Sequence, residues 1–321
     1  MQYTRMGRTG LQVSRICLGT MTFGLTADEA TSHRILDAAF DAGINFLDTA
    51  DIYSAWGPGH SGGESETVIG SWLRGRSRRD VVIATKVQGP MWQGPNGGGL
   101  NRLHILQAVE DSLRRLGTDY IDLYQTHWPD EETPLDETLA ALDNLVQRGV
   151  VRYVGCSNYP AWMLMKALWT SDANGLARFD CLQPHYSLLH RSEFERELAA
   201  ACLDQGVGVI PYSPLAAGFL TGKFTRENKS PDSTRSDGGK IQRLLADERA
   251  FQTLDVLGEI AAAHEAHPAQ IALAWQLAQP VITAPIIGAR RVDQLLDVVG
   301  ATEITLAEDE IARLNGVSDG F

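Results

Sequence analysis

Four side chains suited to proton transfer each stand at or just beyond the end of a short apolar segment of this 321-residue chain. Asp48 and Tyr53 follow one such segment, Lys86 ends the next, and His127 ends the third. A carbonyl group that receives hydride develops negative charge on its oxygen and needs a proton donor beside it. The tyrosine suits that role if the nearby ammonium lowers its pKa from ~10 by roughly three units. The aspartate would keep the lysine charged, and His127 would orient the substrate oxygen by a hydrogen bond.

The elements that must position these residues are predicted from the alternation of short apolar runs with amphipathic stretches. A hairpin is predicted first, from Gln2–Arg5 and Val13–Leu18. The predicted strands are Ile16–Gly19, Asn45–Asp48, Val81–Lys86, Tyr120–Gln125, Val151–Ser157, Cys181–Pro184, Val207–Tyr212 and Val281–Ile287. Predicted helices between them include Asp28–Asp41, Arg102–Leu116, Leu135–Gln147, Phe194–Asp204 and Val292–Val299.

Eight β–α alternations predict an α/β fold, a (β/α)8 TIM barrel with an N-terminal β-hairpin, and an open doubly wound sheet is the alternative. Residues 1–321 are expected to form one domain, with residues 1–15 as a hairpin that caps the bottom of the barrel. Two loops interrupt the rhythm: residues 88–100, rich in glycine and proline, and residues 224–240, which are polar and expected to be mobile. Both follow strands, on the side where barrels place active sites.

Net charge, cysteine spacing and apolar runs argue against nucleic-acid-binding, secreted and membrane-spanning proteins. A formal net charge of −12 argues against binding to nucleic acid or to an anionic membrane. The four cysteines, at positions 17, 156, 181 and 202, form no C-x-x-C pair, and the first residues contain no apolar signal segment, so a cytoplasmic protein with reduced thiols is expected. The uncharged run from Pro268 to Ala289 divides better into a helix and a buried strand than into a membrane span.

Several patterns are interpreted as structural rather than functional. The eight histidines form neither H-x-H nor H-E-x-x-H, so no metal site is expected. Gly57–Gly62 matches G-x-G-x-x-G, but the match follows Tyr53 on a loop and has Ile83 near the acidic position of a dinucleotide fingerprint. Trp162 and Trp169 are expected to pack inside the protein, and Cys156 is expected to be buried and inert. Histidines on or beside helices are expected at the surface: His33, His104, His264 and His267.

The same segments resemble the motifs of the aldo-keto reductase superfamily over essentially the whole chain. The matching motifs occur in the expected order: LDTADIY, ATK, LGTDYIDLYQTHWPD, GVVRYVGCSN, PYSPLAAGFLTGK and PIIGARRVDQL. The SPLAAGFLTGK segment and the long polar insert resemble the bacterial and potassium-channel β-subunit branches more than the mammalian aldose reductases. The resemblance implies a catalytic tetrad of Asp48, Tyr53, Lys86 and His127, with Tyr53 as general acid.

The resemblance also implies an NADPH (NADP⁺) site. Ser157, Asn158 and Gln183 would hold the nicotinamide carboxamide, and Tyr212 would stack on the nicotinamide ring. Arg290 would bind the 2′-phosphate near a helix N-terminus, although Asp297 is followed by Val298 where the family usually carries asparagine near the adenine. The remaining expected cofactor contacts are Gly19, Thr20, Met21, Asp48, Ser213, Leu215, Gly218, Lys223, Ile287, Gly288 and Gln294.

The resulting expectation is an NADPH-dependent reductase of aldehydes or ketones whose partner is a small carbonyl substrate. Candidates for an apolar substrate wall are Trp56, Met91, Trp92 and Trp128. The alternative is an NADPH-binding regulatory subunit that senses redox state and turns over slowly. No appended N-terminal inactivation segment is apparent, because the hairpin is predicted to start at residue 2, and this favours the enzyme. The sequence assigns neither a physiological substrate nor an oligomeric state.

Overall fold

A computed structural model describes residues 1–229 and 239–321 of the chain. The predicted loop 224–240 therefore lies partly outside the described residues. Eight parallel strands, β3–β10, form one curled sheet in the order β10-β3-β4-β5-β6-β7-β8-β9, and a separate antiparallel pair, β1–β2, precedes it. The (β/α)8 barrel with an N-terminal hairpin is thus confirmed. The strands are β1 Tyr3–Arg5, β2 Gln12–Ser14, β3 Cys17–Gly19, β4 Phe46–Asp48, β5 Val82–Val87, β6 Ile121–Thr126, β7 Val151–Ser157, β8 Phe179–Gln183, β9 Gly208–Val209 and β10 Ile286–Gly288.

The helices alternate with these strands along the chain. In sequence order they are α1 Glu29–Asp41, α2 Glu64–Leu73, α3 Arg102–Leu116, α4 Leu135–Gln147, α5 Ala161–Asn174, α6 Ser192–Glu195, α7 Leu198–Gln205, α8 Gly239–Ala246, α9 Glu248–Ala263, α10 Pro268–Leu277, α11 Val292–Val299 and α12 Glu308–Val317. The predicted bounds of α3, α4, α11 and β7 agree with the structure residue for residue. The helix predicted over Phe194–Asp204 is instead two helices, α6 and α7, because the backbone at Glu197 leaves the helical region (φ −141°).

The last two barrel strands are much shorter than predicted, and proline explains the shortening. The predicted strand Val207–Tyr212 contains Pro211, and the predicted strand Val281–Ile287 contains Pro285; neither residue has an N–H to donate to a ladder. Closure instead uses a parallel bridge between Val209 and Ile282 and the hydrogen bond from the Ile286 N–H to the Pro211 carbonyl, 2.8 Å.

Side chains that point into the barrel alternate with period two along each strand. The lower layer is apolar and packs with Met6 and Val13 of the hairpin; it contains Phe46, Ala84, Leu123 and Cys181. Two residues further along the same four strands stand buried polar side chains: Asp48, Lys86, Gln125 and Gln183. The barrel interior therefore has an apolar layer on the side of the hairpin and a layer of polar groups at the carboxyl ends of its strands.

Three side chains lie in surroundings that differ from the prediction. Trp162 is 61% exposed and Trp169 is 71% exposed, so the expectation that they pack inside is wrong. They lie on the outer face of α5, whose inner face is already filled by smaller side chains. His104, expected at the surface, is buried in the first turn of α3, where its ring contacts Trp92. Helical spacing identifies a face, but the packing of neighbouring segments decides which face is covered.

Within residues 1–229 and 239–321, no helix has both the length and the apolar character needed to cross a bilayer. The run from Pro268 to Ala289 contains α10 and β10, as predicted.

Candidate active site

The buried ammonium of Lys86 is the centre of the site. Its Nζ donates to Asp48 Oδ2 at 2.7 Å, to the Thr49 carbonyl at 2.7 Å and to Tyr53 Oη at 3.0 Å. The side chain of Lys86 is fully buried and that of Asp48 is 2% exposed. Because three acceptors surround it, the charge of the ammonium is compensated and its direction is fixed.

Strand ends and one tight turn deliver these groups. Asp48 ends β4, and Lys86 lies one residue before the end of β5. Tyr53 follows β4 on a loop held to β5 by the hydrogen bond from the Asp51 N–H to the Lys86 carbonyl, 3.2 Å. The next residue, Ser54, has a left-handed backbone (φ 74°), and its hydroxyl donates to the Phe23 carbonyl at 2.9 Å. The strained turn aims the tyrosine back over the barrel mouth.

Burial and charge act in opposite directions on the lysine–tyrosine pair. Burial alone would lower the pKa of Lys86, but Asp48 and Tyr53 raise it more, so its pKa lies above the usual range. Burial raises the pKa of Tyr53, Lys86 opposes that rise, and Asp48 adds to it, so the net pKa is raised. Asp48 keeps the lysine charged, as expected. The expectation that the ammonium lowers the pKa of Tyr53 towards neutral pH is wrong. Desolvation of the phenolate outweighs the attraction of the cation.

His127 directly follows β6, and its N–H donates to the Val87 carbonyl at 2.9 Å. Its ring meets the ring of Tyr53 edge to face, with centroids 5.9 Å apart. Burial, followed by repulsion from Lys86, lowers the pKa of His127 to about 3. The imidazole is therefore neutral near pH 7 and has one N–H to donate.

Two amides extend the polar layer. Gln183 Nε2 donates to Asp48 Oδ1 at 2.8 Å, and Gln125 Nε2 approaches the same oxygen at 3.4 Å. Gln125 was missed by the sequence prediction. Its signal was its position two residues before the end of LYQTH, on the same strand face as Leu123.

Asn158 links His127 to Tyr212. Its Nδ2 donates to the His127 carbonyl at 2.9 Å, and its Oδ1 accepts from the Tyr212 hydroxyl at 2.9 Å. The residue has a left-handed backbone, with φ 62°. The neighbouring Ser157 donates through its hydroxyl to the Gln183 carbonyl at 2.8 Å. The polar residues expected around a carboxamide therefore stand together beside the Lys86 group.

Three aromatic rings stack beside this group. His185 lies parallel to Tyr212, with centroids 5.1 Å apart and an interplanar angle of 6°, and His190 covers the opposite side of His185 at 3.7 Å. These rings, with Trp128 and Asn158, line part of a cavity of about 840 Å³. One face of Tyr212 is thus covered by a histidine of the same chain.

The segment after Tyr212 has an unusual backbone. Ser213, Ala216 and Ala217 have positive φ angles of 55°, 48° and 58°, and Gly218 follows at 91°. A Cβ at Gly218 would lie 3.1 Å from the ammonium nitrogen of Lys223. Leu215 immediately precedes the 3₁₀ turn Ala216–Thr221, which contains Ala216, Ala217 and Gly218. The segment is consequently a compact turn that directly follows Tyr212.

A second strip of backbone lies where β3 and β10 end side by side. Gly19 pairs with both Asp48 and Gly288, and a Cβ at Gly19 would be 2.7 Å from Ile286 Cγ2. The Thr20 N–H and hydroxyl both donate to the Asp48 carbonyl, at 2.9 Å and 3.0 Å. Met21 follows and is 40% exposed.

Beyond Ile287 and Gly288, the Arg290 N–H donates to Gln294 Oε1 at 3.1 Å in the first turn of α11. This bond fixes the approach to the helix N-terminus, whose end of the helix dipole attracts anions. The residues expected to bind phosphate on this side are therefore collected around one helix start.

The four candidates for a substrate wall are placed differently. Trp56 is 56% exposed and meets Tyr53 edge to face at 6.3 Å, while Trp128 is 49% exposed and lines the cavity. Trp92 packs on His104, with centroids 4.6 Å apart. A Cβ at Gly62 would lie 3.1 Å from Met91 Cε, so Met91 covers that glycine. Two of the four thus adjoin the site, and two are engaged with neighbouring segments.

The described residues contain no group of three or more histidine, cysteine or acidic side chains arranged to hold a metal ion.

Comparison with known proteins shows the family of this chain. The model of the Aldo/keto reductase family matches residues 15–319. The chain is 42% identical to the protein named Uncharacterized oxidoreductase YrpG of Bacillus subtilis, covering 100% of this chain and 97% of that protein. It is 34% identical to a probable voltage-gated potassium channel subunit beta of Oryza sativa, over 95% of this chain and 92% of that protein. It is also 34% identical to versiconal hemiacetal acetate reductase of Aspergillus parasiticus, over 98% and 96%.

Proposed function

Since this chain belongs to the aldo/keto reductase family, we propose that it reduces aldehydes or ketones to alcohols with NADPH and with Tyr53 as proton donor. The family and its oxidoreductase relatives support carbonyl reduction in general. The observation that carries the finer proposal is the hydrogen bond of 3.0 Å between the buried Lys86 ammonium and the Tyr53 hydroxyl.

The residues around the site suit a phosphorylated dinucleotide in chemistry. Asn158, Gln183 and Ser157 carry the amide and hydroxyl groups that pair with a carboxamide. Tyr212 has a ring covered on one face by His185, and its other face suits a nicotinamide ring. Lys223 and Arg290 carry the cations that phosphates require. When bound, NADPH supplies the hydride that reduces the carbonyl carbon.

The protein side chains supply the proton and the polarisation. The raised pKa of Tyr53 keeps the phenol protonated, as a general acid must be. The proton passes from Tyr53 Oη to the carbonyl oxygen as that oxygen gains charge, and the phenolate that remains lies beside the Lys86 ammonium. The neutral His127 donates a hydrogen bond to the same substrate oxygen and orients it.

The direct test is Tyr53→Phe, assayed by the loss of dihydronicotinamide absorbance with 4-nitrobenzaldehyde. Removal of the acid is expected to lower kcat by about 10²–10⁴-fold, while NADPH still quenches protein fluorescence with unchanged affinity. Tyr3→Phe is the matched control, because Tyr3 lies on β1 and its hydroxyl donates to Gly43 on the far side of the barrel from the strand ends. Turnover by Tyr53→Phe equal to that of the control would remove Tyr53 from the mechanism.

The similarity to the potassium channel subunit favours one alternative, a regulatory protein that binds NADPH and senses redox state. A broad panel of aldehydes and ketones separates the two functions. Multiple turnovers with at least one carbonyl class support the reductase. Tight NADPH binding with only a single slow oxidation across the whole panel supports the sensor.

A further inference from the structure

An exposed aromatic ridge runs along the outer face of α5. We call Trp162, Met165, Lys166 and Trp169 the α5 ridge. The two indoles are 61% and 71% exposed, and Met165 is 36% exposed. In the part of the chain that the structure describes, neither indole makes a hydrogen bond or a ring contact. Large aromatic side chains that lie uncovered on one face of a helix are typical of an interaction surface.

The other tryptophans are buried, pack on a neighbouring ring as Trp92 does, or lie at the mouth of the candidate active site. Trp72 and Trp275 are almost fully buried, and each indole N–H donates to a side-chain oxygen. Trp56 and Trp128, also exposed, belong to the mouth of the candidate active site. The ridge is therefore an apolar surface that the proposed reductase chemistry does not use.

We propose that the α5 ridge is a two-fold interface with a second copy of this chain. The two tryptophans are separated by two helical turns, or roughly 10 Å. An axis passing between Met165 and Lys166 would place Trp162 of each copy against Trp169 of the other, in antiparallel order. The same axis would place Lys166 opposite Met165 of the second copy, from where its long side chain can reach a tryptophan ring of that copy for a cation–π contact.

The size of the surface fits a weak complex between two copies. A tryptophan presents up to about 250 Å², so the two indoles and Met165 offer roughly 400 Å² per copy. Doubled by symmetry and with its rim added, the interface reaches about 1,000 Å², the range of weak and reversible complexes. The net charge of −12 opposes adsorption to an anionic membrane. Two copies also repel each other, and salt screens that repulsion.

Sedimentation velocity of the full chain from about 1 to about 200 µM tests the proposal against the range expected for weak complexes. We expect a reversible monomer–dimer equilibrium that strengthens between about 0.05 M and 0.5 M salt. In the double variant Trp162→Ser/Trp169→Ser, the Kd for dimerisation is expected to rise by at least about 30-fold. Leu103→Ser, which changes a 57% exposed leucine on α3, is the matched control and should leave that Kd unchanged. Carbonyl reduction and unfolding temperature report that each variant is folded.

Cysteine crosslinking tests the orientation. The four native cysteines are buried, so a cysteine placed on the ridge is the accessible thiol. Mixed Trp162→Cys and Trp169→Cys chains should form a 162–169 disulfide faster than either variant forms a disulfide with itself. A wild type that stays monomeric over the whole range overturns the proposal, as does one that binds phosphatidylcholine vesicles without dimerising. Equal rates for all three disulfide pairs overturn the two-fold arrangement.

Discussion

At the residue scale, the buried charge of Lys86 affects both the stability of the fold and the pKa of Tyr53. A fully buried ammonium is stable only because carboxylate, carbonyl and hydroxyl oxygens surround it. The same environment raises the pKa of Tyr53 through burial more than the cation lowers it. The phenol of Tyr53 is therefore held protonated, with the Lys86 ammonium 3.0 Å from its oxygen.

Removing Lys86 should affect stability and activity in separable ways. Lys86→Met leaves Asp48 buried without its cation, so we expect a loss of about 3–5 kcal/mol in the free energy of unfolding. The double variant Lys86→Met/Asp48→Asn removes both charges and should recover much of that loss, while carbonyl reduction stays abolished. Urea denaturation and the absorbance assay measure the two effects. Equal stability of the single and double variants would contradict a direct charge pairing.

His127 should make stability depend on pH below its ordinary pKa. Its pKa is about 3 in the folded protein and ~6.5 in the unfolded chain. Between these values the unfolded state binds more protons, so the free energy of unfolding falls as pH falls, by up to about 1.4 kcal/mol per pH unit. The prediction is that His127→Gln loses less stability than the wild type between about pH 6.5 and pH 5. Parallel urea curves for both proteins would show that the histidine is not held neutral.

At the element scale, the close packing of α2 against α3 supports the strand β5, which carries Lys86. Glu66 of α2 is fully buried, accepts from Thr85 of β5 at 2.5 Å and pairs with Arg115 of α3 at 2.7 Å. The helices approach closely at Gly70, where a Cβ would lie 2.1 Å from the Arg115 carbonyl oxygen. One carboxylate thus ties two helices to the strand that carries Lys86.

Two glycine substitutions on helices should have opposite effects. Alanine normally stabilises a helix by up to about 1 kcal/mol relative to glycine, and Gly258→Ala on α9 should do so because nothing lies within 4 Å of its Cβ position. Gly70→Ala should instead destabilise by about 1–3 kcal/mol, because α2 must move away from α3. Thermal and urea unfolding of both variants provide the comparison. Stabilisation by both would mean that α2 and α3 are not in tight contact.

At the scale of the whole molecule, a ligand that spans the strand ends should stabilise the entire barrel. NADPH at about 100 times its Kd is expected to raise the free energy of unfolding by about 2.7 kcal/mol. Arg290→Ala should weaken NADPH binding and leave NADH binding nearly unchanged, since the guanidinium is proposed to pair with the 2′-phosphate. Fluorescence titration with both cofactors tests this. Equal loss for the two cofactors would assign Arg290 a role shared by both.

Much of the site was predictable because its residues mark strand ends. The β–α alternation and the motif order implied a barrel, and parallel strands bring their carboxyl ends to one rim. Asp48, Lys86 and His127 could therefore be expected together although nearly eighty residues separate the first from the last. Tyr53 and Asn158 followed from the same motifs. Gln125 was within reach of period-two reasoning, since it points inward with Leu123.

Local pattern thus determined the elements, their order and the polar groups at their ends, because these depend on residues close together in the chain. Burial was decided only by tertiary packing, because it depends on which distant segments meet. That packing exposed Trp162 and Trp169 on α5 and buried His104 under Trp92, whereas the last two strands were shortened by prolines that the sequence already contains. It also reversed the expected direction for the pKa of Tyr53, since desolvation is a property of the closed barrel and not of the motif.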